Sequence, residues 1–257
     1  MTVGAVYCLY EDYKFLKYSI DSIYSVVDKI IFLVGDTAWN GDQSLKGDNE
    51  KTLQVINEYK DVDDKFILIK KQWEQGEIHK RNYGLDIVRN FKLDYCLVID
   101  ADEVYETKEL KFLIDTAKIN PQYSVFRCPM YTYWKEVKYR IEPPEQYCPC
   151  VLLKCTDTMR FVENRDATDG GLQATLMGHC TMHHFSYVRT DEELKRKHIF
   201  VPGHNQSAIA GWFDNVWKAW DNNKFLLNIH PVWPEVYKRA IEIGLNELPS
   251  VMGENHD

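Results

Sequence analysis

Four short apolar runs set the limits on how this chain can fold. Val3–Tyr10, Ile30–Val34, Phe66–Ile69 and Tyr95–Ile99 have the length of buried strands and are too short for buried helices. Between them lie segments of helical spacing. Tyr13–Val27 sets Leu16, Ile20, Ile23 and Val27 on one face, and Asn49–Tyr59 does the same with Leu53, Ile56 and Tyr59. Ile78–Val88 and Thr107–Ala117 follow, the latter turning Leu110, Leu113 and Ile114 inward. Strands alternating with helices predict right-handed βαβ units and a mostly parallel sheet covered on both faces.

The texture changes after Asn120-Pro121. Ser124–Met130, Tyr131–Trp134 and Val151–Lys154 are short aromatic or β-branched runs, interrupted by Glu142-Pro143-Pro144 and by the polar stretch Glu163–Gly171. They predict antiparallel strands and long loops appended to the sheet. Thr190-Asp191-Glu192-Glu193 is a capping box that opens a helix, with Lys195, Arg196, Lys197 and His198 at its other end. Trp212–Trp220 reads as an aromatic-rich helix, and Pro234 as the first position of a helix over Glu235–Gly244. The expected organisation is one domain, 1–257, with a first half over 1–120 and a second over 121–257.

Composition narrows the classes. Apolar content of 45% and aromatic content of 13% suit a globular protein. No apolar run approaches the roughly 20 residues that span a bilayer, and Met1-Thr2-Val3-Gly4 lacks the basic start of a secretory signal. The seven cysteines are scattered, which fits a reducing, cytoplasmic compartment better than a disulfide framework. Cys148-Pro149-Cys150 lacks the spacing of a zinc site and reads as two ordinary thiols. A formal charge of −8 argues against broad nucleic-acid binding.

The fourth apolar run ends abruptly in Asp100-Ala101-Asp102-Glu103. Parallel strands present functional groups at their carboxyl ends, where ligands of open α/β sheets bind. In extended backbone Asp100 and Asp102 share a face and point into one pocket. Two carboxylates so close need a positive partner, and Mg²⁺ commonly binds one or two carboxylates together with substrate phosphates.

Asp100-Ala101-Asp102, about a hundred residues into a βαβ chain, resembles the DxD motif of GT-A glycosyltransferases, in particular family-2-like members. Val6–Ile23 resembles their opening strand and helix, with Glu11-Asp12 in place of the usual Asn-Glu. Lys80-Arg81-Asn82 resembles their Arg-Asn step, and Gly35-Asp36 stands where many place a base-binding Asp. Gly35-Asp36-Thr37-Ala38-Trp39 occupies the place of their Asp-Gly-Ser-x-Asp signature. The resemblance implies a GT-A, Rossmann-like α/β fold: a mixed, mostly parallel sheet flanked by helices, with an antiparallel and helical acceptor-side half. It also implies a transferase that moves a sugar from a nucleotide donor, a UDP-sugar, to a hydroxyl acceptor with Mn²⁺ or Mg²⁺. The acceptor classes left open are glycan, lipid-linked, protein and small molecule. Donor contacts are expected at Tyr10, Asp36, Lys80, Arg81, Asp100 and Ala101.

Asp102 is the expected metal ligand, with Asp100 in reserve. A histidine from the second half often completes such a site, and His179, His183 and His184 are the candidates. His183 and His184 face opposite ways in a strand, so one of them reaches the metal. His184 is favoured and His183 is the reserve. A general base for an inverting transfer would be one of Glu145, Glu163, Asp166, Asp169 and Asp191. Asp166 is preferred and Asp191, which capping alone explains, comes second. Tyr131, Tyr133, Tyr139, Trp217, Trp220 and Trp233 read as core, with Trp134 and Trp212 as acceptor contacts. His204-Asn205 and Asn228-Ile229-His230-Pro231 stand out without an assigned role. The rival readings are a nucleotidyltransferase, whose Gly-rich loop is missing from Tyr10-Glu11-Asp12-Tyr13, a non-catalytic binding module, and glycosylation of a nucleobase.

Overall fold

The alternating first half folds as β1 (Val3–Leu9), α1 (Leu16–Ile23), β2 (Lys29–Val34), α2 (Glu50–Glu58), β3 (Phe66–Lys70), α3 (Gly76–Asn90), β4 (Tyr95–Ile99), β5 (Glu103–Tyr105) and α4 (Thr107–Ile119). The second half supplies β6 (Val125–Arg127), β7 (Met130–Trp134), β8 (Glu136–Glu142), β9 (Cys150–Lys154), β10 (Arg160–Glu163), β11 (Asp166–Thr168), β12 (Thr175–Met177), β13 (Met182–Tyr187), α5 (Asp191–Phe200) and β14 (Arg239–Glu242). The structure is a computed structural model. It describes residues 1–38, 42, 46–145, 147–163, 165–170, 175–200, 211–221 and 239–253, with backbone alone at 198–200. Trp39, His204, Asn205, 228–231, Trp233 and Pro234 lie outside the described residues.

The main sheet has seven strands in the order β12-β6-β9-β4-β1-β2-β3. Its pairings are parallel except those of β9, which runs antiparallel to both β4 and β6. The chain winds from β1 outward to β3, then returns to place β4 on the other side of β1. That reversal makes a topological switch point between β1 and β4, with the crevice at their carboxyl ends. The fold is the mixed, mostly parallel α/β architecture expected of a GT-A chain.

Side-chain alternation along β1 divides the core. Val3, Ala5, Tyr7 and Leu9 pack towards Leu16, Ile20 and Ile23 of α1 and Leu110 and Leu113 of α4. Val6 and Cys8 pack on the other face with Leu85 and Val88 of α3. The expected inward residues of α1 and α4 are buried; Leu53 and Tyr59, flanking Ile56 on α2, are only partly covered. β3 is an edge strand, half-exposed along its length.

A second sheet, β14-β8-β7-β13-β5, packs beside the first. Here the structure corrects three expectations. The second half is not uniformly antiparallel, because β13 runs parallel to β7 and β12 parallel to β6. The polar stretch after Glu163 is not a plain loop, since Asp166–Thr168 pairs with β10 as a hairpin. Finally, the helix expected over Glu235–Gly244 is replaced at Arg239–Glu242 by a strand on the edge of β8. That edge offers unpaired backbone groups, and Ala240 and Ile241 pack against two aromatic clusters. Thr190 does cap α5 reciprocally with Glu193, at 2.8 and 3.2 Å. Phe213–Lys218 forms a short helix with π-type bonding. No helix among the described residues is long and apolar enough to cross a membrane.

Gly84 lets α3 lie close on β1. A Cβ there would fall inside van der Waals contact with Val6 Cγ1 and 3.1 Å from Leu33 Cδ1. Gly84→Ala should destabilise the protein on balance: overpacking costs about 1–3 kcal/mol and helix propensity returns about 1 kcal/mol. A lower urea midpoint with an unchanged m-value is the expected measurement.

Candidate functional site

β4 stops at Ile99 because the next residues turn. The Glu103 amide donates to the Asp100 carbonyl at 3.1 Å, so Asp100–Glu103 forms a tight bend before β5. The extended geometry that would aim Asp100 and Asp102 at one point is therefore not formed. Each carboxylate instead meets its own set of cations.

Asp100 is held by the buried guanidinium groups of Arg81 and Arg165. Arg81 Nη2 donates to both its oxygens at 2.9 and 3.1 Å, and Arg165 Nη1 donates to Oδ2 at 2.9 Å. Arg81 is braced one helical turn back by Glu77, 2.6 Å from its Nε. Arg165 also grips Glu103 at 2.6 and 3.2 Å and donates to the Val98 and Cys150 carbonyls. Burial pushes the Asp100 carboxyl up, but Arg81 and Arg165 outweigh it and hold it below the usual range. Glu103 is more deeply enclosed, and burial pushes it up to about 7 despite Arg165.

Asp102 faces the second sheet. Arg189, immediately after β13, donates to its Oδ2 at 3.1 Å, and Lys197 Nζ lies 3.6 Å from the same oxygen. The Thr190 cap fixes α5 directly after Arg189, and about two turns of helix carry Lys197 back to the site. His184 Nε2 is 3.7 Å from the other oxygen, Oδ1. Burial opposes ionisation of Asp102, yet Lys197, His184 and Arg189 together hold it well below a normal carboxyl. Burial lowers His184, with Asp102 and Glu145 pulling the other way. Asp12, 3.9 Å from Arg189, is pushed up to about 6 by burial.

Register turns the two histidines to opposite faces. β13 pairs antiparallel with β5, so that His184 lies opposite Glu103, and parallel with β7, so that His184 lies beside Thr132. Alternation then turns His183 away, where its Nδ1 meets the Tyr133 hydroxyl at 2.7 Å and its ring stacks on Tyr133. His184, whose buried Nδ1 has no hydrogen-bond partner among the described residues, faces Asp102. An ionised carboxylate and a neutral imidazole at this separation are donors that would hold a divalent ion such as Mn²⁺. Among the described residues no third His, Cys, Asp or Glu joins them as a ready-made metal cluster.

The other expected residues are dispersed. Lys80 is buried, donates to the Leu9 carbonyl at the end of β1 at 2.8 Å, and is lowered to about 8 by burial. Tyr10 is buried with its ring against Gly47, and Ala101 belongs to the core. Asp36 follows β2 at the same sheet edge, its carbonyl accepting from Gly47 at 2.9 Å. Asp166 points away from Asp100: it pairs with Arg127, while its neighbour Arg165 points in. Asp191 accepts from the Trp217 indole at 2.7 Å. Asp169 accepts from Thr156 and Thr158. Trp134 and Trp212, at 0% and 2% exposure, pack with Tyr187 and Trp217 and offer no ring face to an acceptor. We assign both to packing.

Sequence reasoning missed Asp12, Arg165, Arg189 and Lys197 as parts of the site. Arg165 stands beside Asp166, Arg189 lies five residues after His184, and Lys197 is one of the basic residues at the far end of the capped helix. Nothing local in the sequence points any of them at Asp100 or Asp102.

Residues 46–191, more than half of the chain, match the family described as Glycosyl transferase family 2. No curated protein matches the sequence. Similar solved structures include TarS of S. aureus. Its residues 1–349 align at 12% identity over 78% of this chain and 64% of that one, with a TM-score of 0.44. TarS 1–349 in complex with UDP-GlcNAc aligns at 18% identity over 51% of this chain and 35% of that one, with a TM-score of 0.35. A longer TarS structure aligns at 18% identity over 51% of this chain and 22% of that one, with a TM-score of 0.36. The chain thus covers between 22% and 64% of the length of these structures.

Removing the shared cation should expose the repulsion between the Asp100 and Glu103 carboxylates. Arg165→Met leaves buried Glu103 without its partner and should cost about 3–5 kcal/mol. Adding Glu103→Gln should recover part of that loss, and denaturant titration of the two variants measures both effects.

Proposed function

The chain belongs to glycosyl transferase family 2, and from that premise we propose that it moves a sugar from a nucleotide-sugar donor, a UDP-sugar, to a hydroxyl acceptor. The observation that carries this reading is the convergence of Asp102, His184, Arg189 and Lys197 at the carboxyl end of β4, beside the switch point. A carboxylate and an imidazole lie 3.7 Å apart, and two cations lie against the same carboxylate. This arrangement can receive a diphosphate and a divalent ion together.

Asp102 and His184 would hold the ion. Bound there, Mn²⁺ or Mg²⁺ supplies a Lewis acid to the diphosphate oxygens. Arg189 and Lys197 would move from Asp102 towards the phosphates and offset the charge that builds as the glycosidic bond breaks. Arg81 and Arg165 do not touch the donor in this scheme. They fix Asp100, whose carboxylate would accept a ribose hydroxyl or a water of the metal. Asp36 would accept from the base or ribose. The acceptor is a glycan, a lipid-linked sugar, a protein or a small molecule. A cytoplasmic location fits the seven free thiols.

Sugar-nucleotide turnover is the direct test. With Mn²⁺ and a panel of UDP-, GDP- and dTDP-sugars, the wild type should release nucleoside diphosphate. Asp102→Asn should lower that release on the order of a hundredfold or more. Equal release by both proteins would remove Asp102 from the mechanism.

A further inference from the structure

Five carboxylates were candidates for the base that activates an acceptor, and the fold separates one from the rest. Asp166 is paired with Arg127, Asp169 is held by two threonines and Asp191 holds an indole. Glu163 is exposed on the β10–β11 hairpin. Glu145 lies elsewhere. It bridges to Met130 at the start of β7, and its Oε1 accepts from the hydroxyl of Thr132. Met130 and Thr132 share a face of β7. Thr132 is itself 1% exposed and is the register partner of His184. Glu145 therefore sits on the face of the second sheet that carries His184 towards Asp102. Among the described residues it has no ion-pair partner. It is partly exposed, so it remains open to a ligand.

We infer that Glu145 is the catalytic base that takes the proton from the acceptor hydroxyl in a single-displacement transfer. The inference rests on the glycosyltransferase reading above and deepens it. The Glu145 carboxylate accepts the acceptor O–H proton while that oxygen forms a bond to the anomeric carbon. The bond from that carbon to the β-phosphate oxygen breaks, and its electron pair leaves with the nucleoside diphosphate. Thr132 has a positioning role: its hydroxyl donates to one carboxylate oxygen and leaves the other for the proton.

The test uses the full chain with Mn²⁺ and the sugar nucleotide that the wild type turns over fastest. Glu145→Gln should keep its UDP affinity within about twofold, by calorimetry, while nucleoside diphosphate release falls about 10²–10⁴-fold. Glu145→Ala should behave alike and recover turnover on addition of sodium azide, a nucleophile with no proton to remove. The product should be a glycosyl azide of inverted configuration. Turnover by Glu145→Gln near the wild-type rate overturns the assignment. So does turnover restored simply by raising Mn²⁺, which would make Glu145 an orienting partner of His184. Loss of UDP binding in both variants also overturns it, because the residue is then structural. If the wild type turns over no sugar nucleotide, the glycosyltransferase reading itself fails and this inference falls with it.

Discussion

Charge balance at the tip of β4 is the constraint around which the rest of the molecule is arranged. Asp100, Asp102 and Glu103 are enclosed within one bend, with side-chain exposures of 26%, 13% and 4%. Carboxylates taken out of water at such close spacing are strongly disfavoured unless cations meet them with good geometry. Four cations do so, and each arrives on a different element: Arg81 on α3, Arg165 on the β10–β11 turn, Arg189 after β13 and Lys197 on α5. The sheet places the acids, and the surrounding elements are fixed in part by having to deliver the counter-charges.

The two sets of cations have different characters. Arg81 and Arg165 are buried and multiply bonded, which makes them fixtures of the fold. Arg189 and Lys197 are each 16% exposed in their side chains and lie at one oxygen of Asp102. A ligand that brings both negative charge and a cation can exchange partners there without leaving any group unpaired. The bend thus has a rigid side at Asp100 and an exchangeable side at Asp102.

The second sheet is what brings the exchangeable side into being. β5 leaves the main sheet after the bend and pairs with β13, so the strand that carries His184 is registered directly against the acidic segment. A slip of one residue would exchange His183 for His184 and turn the site-facing imidazole into the Tyr133 stack. The same register sets Thr132 beside His184 and so brings Glu145 to that face. The seven-stranded sheet contains β6, β9 and β12 from beyond residue 121, while β5 from the first half lies in the second sheet. The halves that look distinct in the sequence are interleaved in space.

The elements of the first half, and α5 in the second, were legible because their signals are local. Apolar runs, helical spacing and the Thr190 cap each involve residues within a few positions of one another, and the chain obeys them. The acidic tip was legible for the same reason, since an apolar run that breaks into Asp100 and Asp102 has few purposes. Tertiary structure alone decided the remainder. It paired Arg165 with Glu103 across 62 residues and Arg189 with Asp102 across 87. It also laid Arg239–Glu242 on a free strand edge instead of in a helix, buried Trp134 and Trp212, and turned His184 towards Asp102 and His183 towards Tyr133. Periodicity states which face of an element is apolar, but not which element it will meet. Long-range partners are set by packing and by the need to neutralise buried charge, and neither is written in neighbouring residues.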